Sequence, residues 1–272
     1  MWLPRDGKFR FELGLRQGDD KFFQSSQDHK AILAARARVL AENPTRHLAL
    51  LDEGVELLHE TRNFAHKATG TLCNEQATPL AQCLELGKQW EPDFLLLKPA
   101  ADGDYHLLGG CVCFPSSWDL HEKMGRSVTT IHAQVPTLNE NLARPIHTFL
   151  QRIKPGTVWE RWNWGMAADD AWNHHPTLAR PRLHAGSTLA DSWLRIEHQA
   201  FRALDVCGGL LFAIRVVVTP LTEIAQDASA AVRLAELLET MPDEIADYKG
   251  LRSCRNAIAQ QLREAARHAS VF

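Results

Sequence analysis

Five short apolar runs crowd the middle of this chain, and their order restricts the fold more than any other feature. "DFLLLKP" (93–99) and "DYHLLGGCVCFP" (104–115) meet across the turn residues of "AADGD", the pattern of a hairpin. "TVWERWNWGM" (157–166), "SWLRIEHQAFRAL" (192–204) and "GLLFAIRVVVTPL" (209–221) read as three further strands. Two helical stretches separate the pair from the triplet. "DLHEKMGRSVTTIHAQV" (119–135) breaks near Gly125, and Asn139 to Ile153 carries Pro145 near its first turns. The middle of the chain is therefore two strands, a helical crossover and three strands.

Helical periodicity governs both ends. "DHKAILAARARVLAEN" (28–43) stops before Pro44, where proline cannot continue the hydrogen-bond ladder. The 47–68 and 75–90 stretches repeat the pattern, as do 230–241 and 250–269. These helices are expected to cover the sheet, which makes the class α+β. The expected organisation is one domain over 1–272, with a helical part (1–92), a sheet core (93–221) and C-terminal helices (222–272). A long polar loop, 167–191, joins two of the strands.

Charge and composition exclude some partners. The net charge is −3, which gives no electrostatic reason to expect nucleic acid or an anionic membrane. The longest apolar stretch, Gly209 to Val218, is interrupted by Arg215, so no membrane span is expected. The opening "MWLPRDGKFRF" has no apolar core of a secretion signal, and the expected location is the cytoplasm. The six cysteines are then expected as thiols. Cys111 and Cys113 share a strand face but lack partners at zinc or iron–sulfur spacing, so a structural role is expected. The histidines of "NHHP" (173–176) are expected to be a solvated loop pair.

Several motifs carry a resemblance. "FPSSW" (114–118), "EKMG" (122–125) and "IHAQVP" (131–136) are followed by "RWNW" (161–164), "LRIEHQAFRAL" (194–204), "FAIRVVVTPL" (212–221) and "YKGL" (248–251). "LGLRQGD" (13–19) and "VELLHE" (55–60) fit more loosely. In this order they resemble the haem-dependent oxidative N-demethylase alpha-subunit-like family. The resemblance implies a PAS-like fold, a five-stranded antiparallel sheet holding haem b against the helical crossover. It also implies oxidative demethylation of a small secondary amine such as dimethylamine, with O2 as oxidant. Electrons would come from NADPH through a partner reductase that carries FMN and a 2Fe–2S cluster. This chain has neither a four-cysteine cluster run nor a G-x-G-x-x-G loop.

Taken by itself, His132 reads as a part-buried core histidine. The resemblance makes it the expected haem-iron ligand, with His147 in "RPIHTFL" as the rival and the polar-flanked His121 weaker still. On the strands, Arg195, Glu197 and Gln199 share one face, as do Arg161 and Asn163. One reading is a salt-bridge network within the sheet. The other is a polar pocket in which Glu197 binds a substrate ammonium and Arg195 or Arg215 polarises O2. Arg161, Asn163 and Trp164 are the expected cofactor-contacting residues. The family often has arginine where this chain has His198, which weakens transfer of the pocket chemistry. A haem sensor or store without turnover is the alternative function, and a haem-free interaction module a third.

Overall fold

The computed structural model describes residues 7–269. The N-terminal third contains β1 (Arg16–Gln17), α1 (His29–Glu42), α2 (Pro44–His47), β2 (Leu48–Leu50), α3 (Val55–Thr69) and α4 (Pro79–Gln89). The hairpin β3 (Asp93–Pro99) and β4 (Tyr105–Cys111) follows. The crossover is α5 (Val128–His132) and α6 (Leu138–Arg152). Then come β5 (Val158–Ala167), β6 (Trp193–Ala203) and β7 (Leu210–Pro220). The chain closes with α7 (Leu221–Ile224), α8 (Ala228–Thr240), α9 (Asp243–Tyr248) and α10 (Arg255–Ala269).

The described sheet has seven strands in the order β1-β5-β6-β7-β3-β4-β2, and every neighbouring pair is antiparallel. The expectation of five strands is corrected by two short edge strands from the N-terminal third. β1 pairs with β5 through Arg16 and Gln17. β2 pairs with β4 through Leu48 to Leu50, so the helix expected over 47–68 is a strand followed by a helix. The β3–β4 hairpin turns at Gly103, whose φ of +81° favours glycine. At Gly110 a side chain has no room: a Cβ there would stand 2.2 Å from the Phe94 carbonyl oxygen.

Successive residues of β3 point to opposite faces. Phe94 and Leu96 pack with Leu57 and Leu58 of α3, Leu86 of α4 and Leu40 of α1. Leu95 and Leu97 pack with Leu150, Ile146 and Ile131 of the crossover. Each fully buried leucine of this kind contributes about 1.5–3 kcal/mol. A third cluster joins Trp164, Leu194 and Ile196 to Leu234 and Leu238 of α8 and Ile258 and Leu262 of α10. Among the described residues, no helix is long and apolar enough to cross a membrane.

Local signals explain the placement of the crossover. The Ser127 hydroxyl caps α5 by accepting from the Thr130 amide at 3.2 Å. The Asp104 carboxylate accepts from the Thr129 amide at 3.0 Å, which ties α5 to the hairpin turn. The Asn139 side chain donates to the Thr129 carbonyl at 2.9 Å, which ties it to α6. α5 therefore ends at His132, held from both sides. Pro145 lies in the interior of α6, further from its start than expected.

Candidate functional site

The crossover, the sheet and the N- and C-terminal segments enclose a cavity of about 360 Å³. Its apolar walls come from Leu95 and Leu97 of β3, Phe201 and Phe212 of β6 and β7, and Ile146 and Phe149 of α6. Phe201 and Phe212 stack with ring centres 4.7 Å apart, a consequence of their direct pairing across the strands. Lys8 to Leu15 cross the cavity as an extended strap, and every residue of it lines the space. Phe9 and Phe11 meet edge to face at 5.6 Å and pack on the α8–α10 cluster. The strap is fixed at one end by the Phe9 amide, which donates to the Thr240 hydroxyl at 2.9 Å. β1 fixes the other end.

Few polar groups interrupt these walls. His132 lines the cavity from the end of α5, and its imidazole makes no hydrogen bond to any described residue. Burial, and then the nearby Arg161 charge, push its pKa down to about 4. The ring is therefore neutral near pH 7, the form that can bind a metal. Arg161 lines the same cavity from β5, and its buried Nε has no hydrogen-bond partner. Register places Arg161 opposite Gln199, and Asn163 opposite Glu197. Gln199, Asn163 and Trp164 line the cavity as well.

The sequence-derived candidates divide into two groups. His132, Arg161, Asn163 and Trp164 are brought together. Glu197 stands just behind them, its carboxylate accepting from Asn163 at 3.2 Å and from Gln199 at 2.8 Å. Arg195 and Arg215 do not line the cavity. The Arg195 guanidinium donates to the carbonyls of Phe114 (2.7 Å), Trp172 (2.6 Å) and Ala171 (3.1 Å), and to the Ser116 hydroxyl (2.8 Å). It anchors the "FPSSW" loop to the long 167–191 loop. Arg215 pairs with Glu91 and donates to the Phe22 and Gln24 carbonyls. His198 stacks on Trp162 at 4.5 Å and lies 2.7 Å from Glu160, outside the cavity.

The rival histidines are also placed elsewhere. His147 stands against the hairpin turn at Gly103, and the His121 ring lies 2.6 Å from the Thr45 carbonyl. The "NHHP" pair differs from the solvated loop expected. His175 is 3% exposed, meets the His47 ring edge to face at 5.5 Å, and lies 3.6 Å from Asp119. Cys111 and Cys113 are buried, 3.9 Å apart, beside the Arg36–Asp93 ion pair of 2.6 Å. Among the described residues, no cluster of three or more histidine, cysteine or carboxylate side chains is placed to hold a metal ion.

Two contributions were missed from sequence. One is the strap, although "KFRFELGL" alternates apolar and polar residues in the pattern of a half-buried extended segment. The other is Lys249, just beyond α9, which lines the cavity and donates to the Trp164 carbonyl at 2.6 Å. Its ammonium is buried, and that burial pushes its pKa down to about 8.

Haem held through a histidine needs apolar walls, a neutral imidazole and a means of compensating its carboxylates. The unpartnered His132 ring, the orphaned Arg161 Nε and the leucine and phenylalanine walls fit that group. A family model described as haem-dependent oxidative N-demethylase, alpha subunit-like, matches residues 18–259, and the chain belongs to that family.

Proposed function

We propose that this chain is the haem-binding subunit of an oxidative amine demethylase, built on a PAS-like core. The five long strands, followed along the sheet as β4-β3-β7-β6-β5, support that core, with β1 and β2 added at its edges. The observation that carries the proposal is His132. It is a neutral imidazole with no hydrogen bond to any described residue, at the end of a helix held in place, facing a cavity whose walls are mainly apolar. His132 would hold the iron, and Arg161 and Trp164 would flank the cofactor. When bound, haem b supplies electron acceptance and O2 activation. Electrons would come from a partner reductase carrying FMN and a 2Fe–2S cluster, fed by NADPH.

The protein's part is binding and orientation. Apolar walls exclude water, which strengthens each electrostatic contact inside. Glu197 would attract the ammonium of a small secondary amine such as dimethylamine through the Asn163–Gln199 amide pair. Arg195 and Arg215 would support the site through the loops and helices they hold. Demethylation would consume the amine, O2, two electrons and two protons, and release the demethylated amine, formaldehyde and water.

The test is the visible spectrum of protein produced with added haem precursor. A Soret band is expected in wild type and in His147→Ala, and its loss in His132→Ala. Dimethylamine-dependent formaldehyde release with a surrogate reductase is expected to follow. A folded wild-type protein with no Soret band would sink the proposal. A Soret band without turnover would leave a haem sensor or store.

A further inference from the structure

We propose that Arg161 and Lys249 form a carboxylate-binding site in the wall of the cavity. The inference rests on the cavity assigned above as the ligand site, and it adds Lys249 and the chemistry that the two cations share. Both residues line the cavity. Arg161 carries five N–H donors and Lys249 three. The described structure satisfies one of them, from Lys249 to the Trp164 carbonyl. The buried Nε of Arg161 has no partner.

The obvious counter-ion is engaged elsewhere. Glu197 is near enough to favour the charged forms of both cations. Yet among the described residues it forms no ion pair with either, and its carboxylate takes its hydrogen bonds from the neutral amides of Asn163 and Gln199. His132 faces the same space as a neutral ring. Glu12, on the exposed strap, also favours the charged form of Arg161 but forms no ion pair with it among the described residues. Two part-buried cations with unfilled donors, the Arg161 Nε fully buried among them, outnumber the carboxylates paired with them, and the wall is short of negative charge. Such groups are costly without a partner. A planar carboxylate matches the guanidinium fork, with the ammonium supplying a second, point-like contact.

Two sources carry that chemistry: a propionate of haem, or the carboxylate of a free ligand such as an N-methyl amino acid. The experiment separates them. The first arm loads the protein with haem b or with haem dimethyl ester, whose propionates are blocked, and follows haem loss to an acceptor globin. If a propionate occupies the site, the ester leaves wild type at least about tenfold faster than haem b. That difference collapses in Arg161→Gln and Lys249→Met. The second arm titrates sarcosine into the protein, with and without haem, and follows tryptophan fluorescence beside Trp164. If a free carboxylate occupies the site, wild type shows a saturable change that dimethylamine does not reproduce, and each variant weakens it at least about tenfold.

Both arms have wild-type readouts, so a variant that fails to fold does not remove the test. If the protein binds no haem, the proposed function fails and the sarcosine arm alone decides this site. Equal loss of haem b and its ester, together with no saturable response to sarcosine, overturns the proposal.

Discussion

Arg161 faces the same cavity as His132, and its positive charge adds to burial in keeping the His132 imidazole neutral. Burial is the larger cause, and an arginine whose buried Nε has no partner reinforces it. The folded pKa, about 4, lies well below the ordinary 6.5. The unfolded chain therefore binds this proton more readily than the folded one. That stabilisation is complete above pH 6.5 and is lost as pH falls from 6.5 towards 4. It amounts to at most about 3 kcal/mol. Burial also lowers His47, His174, His175 and His198, so haem-free wild type is expected to weaken across the whole window. His132→Gln is expected to be flatter. Urea unfolding at pH 7.5 and pH 5 in both proteins measures the difference, and parallel curves would contradict it.

Arg195 is expected to matter for stability more than for chemistry. Its guanidinium holds five acceptors in two loops. Arg195→Lys loses the fork, and Arg195→Ala leaves buried carbonyls unpaired. Each unpaired group costs about 1–3 kcal/mol. Arg195→Ala is expected to lose at least about 3 kcal/mol in denaturant titration, and Arg195→Lys less. A fully stable Arg195→Ala protein with abolished turnover would return this arginine to the reacting site.

Asp93 presents a sharper case. One carboxylate oxygen accepts from Arg36 at 2.6 Å and from the Cys113 amide at 2.7 Å. The other accepts from the Phe114 amide at 2.9 Å. Both side chains are buried, so Asp93→Ala strands the Arg36 charge. The expected loss is about 3–5 kcal/mol. The double variant Asp93→Ala, Arg36→Met is expected to recover part of it in the same measurement, because no charge is then left alone.

The strap is expected to act as a removable wall. Phe9→Ala with Phe11→Ala takes away its two aromatic anchors on the α8–α10 cluster. Both rings are only partly buried, so the joint cost is expected near 2 kcal/mol, below the range for full burial. Binding of an environment-sensitive apolar dye is expected to rise several-fold as the cavity opens. Unchanged dye binding would show that the strap does not seal it.

The long strands were legible because they are unbroken apolar runs between turn residues, and β3, β5, β6 and β7 fall within a residue or so of the stretches read from sequence. β2 was not. "HLALLDEGVELLHE" has leucines at helical spacing throughout, and nothing local announces that Leu48 to Leu50 pair with Gly109 to Cys111. The alternation on β6 correctly set Arg195, Glu197 and Gln199 on one face. It carried no information on what lies opposite each one, so Arg195, facing carbonyl-rich loops, could not be told from Gln199, facing the cavity. Lys249 was hidden for a related reason. Its position depends on α9 returning against β5, a tertiary event with no signature in "YKGL" itself.

The two edge strands have a consequence for assembly. β1 pairs only with Trp159 and Glu160 of β5, and β2 only with Gly109 to Cys111 of β4, so each rim of the sheet is interrupted by a short added strand. Long uninterrupted rims invite a foreign strand to extend the sheet. Truncated ones discourage both self-association and recruitment by strand addition. The reductase proposed above would then dock through side chains on helices and loops, and its contact would be tuned by charge and shape and not by backbone pairing.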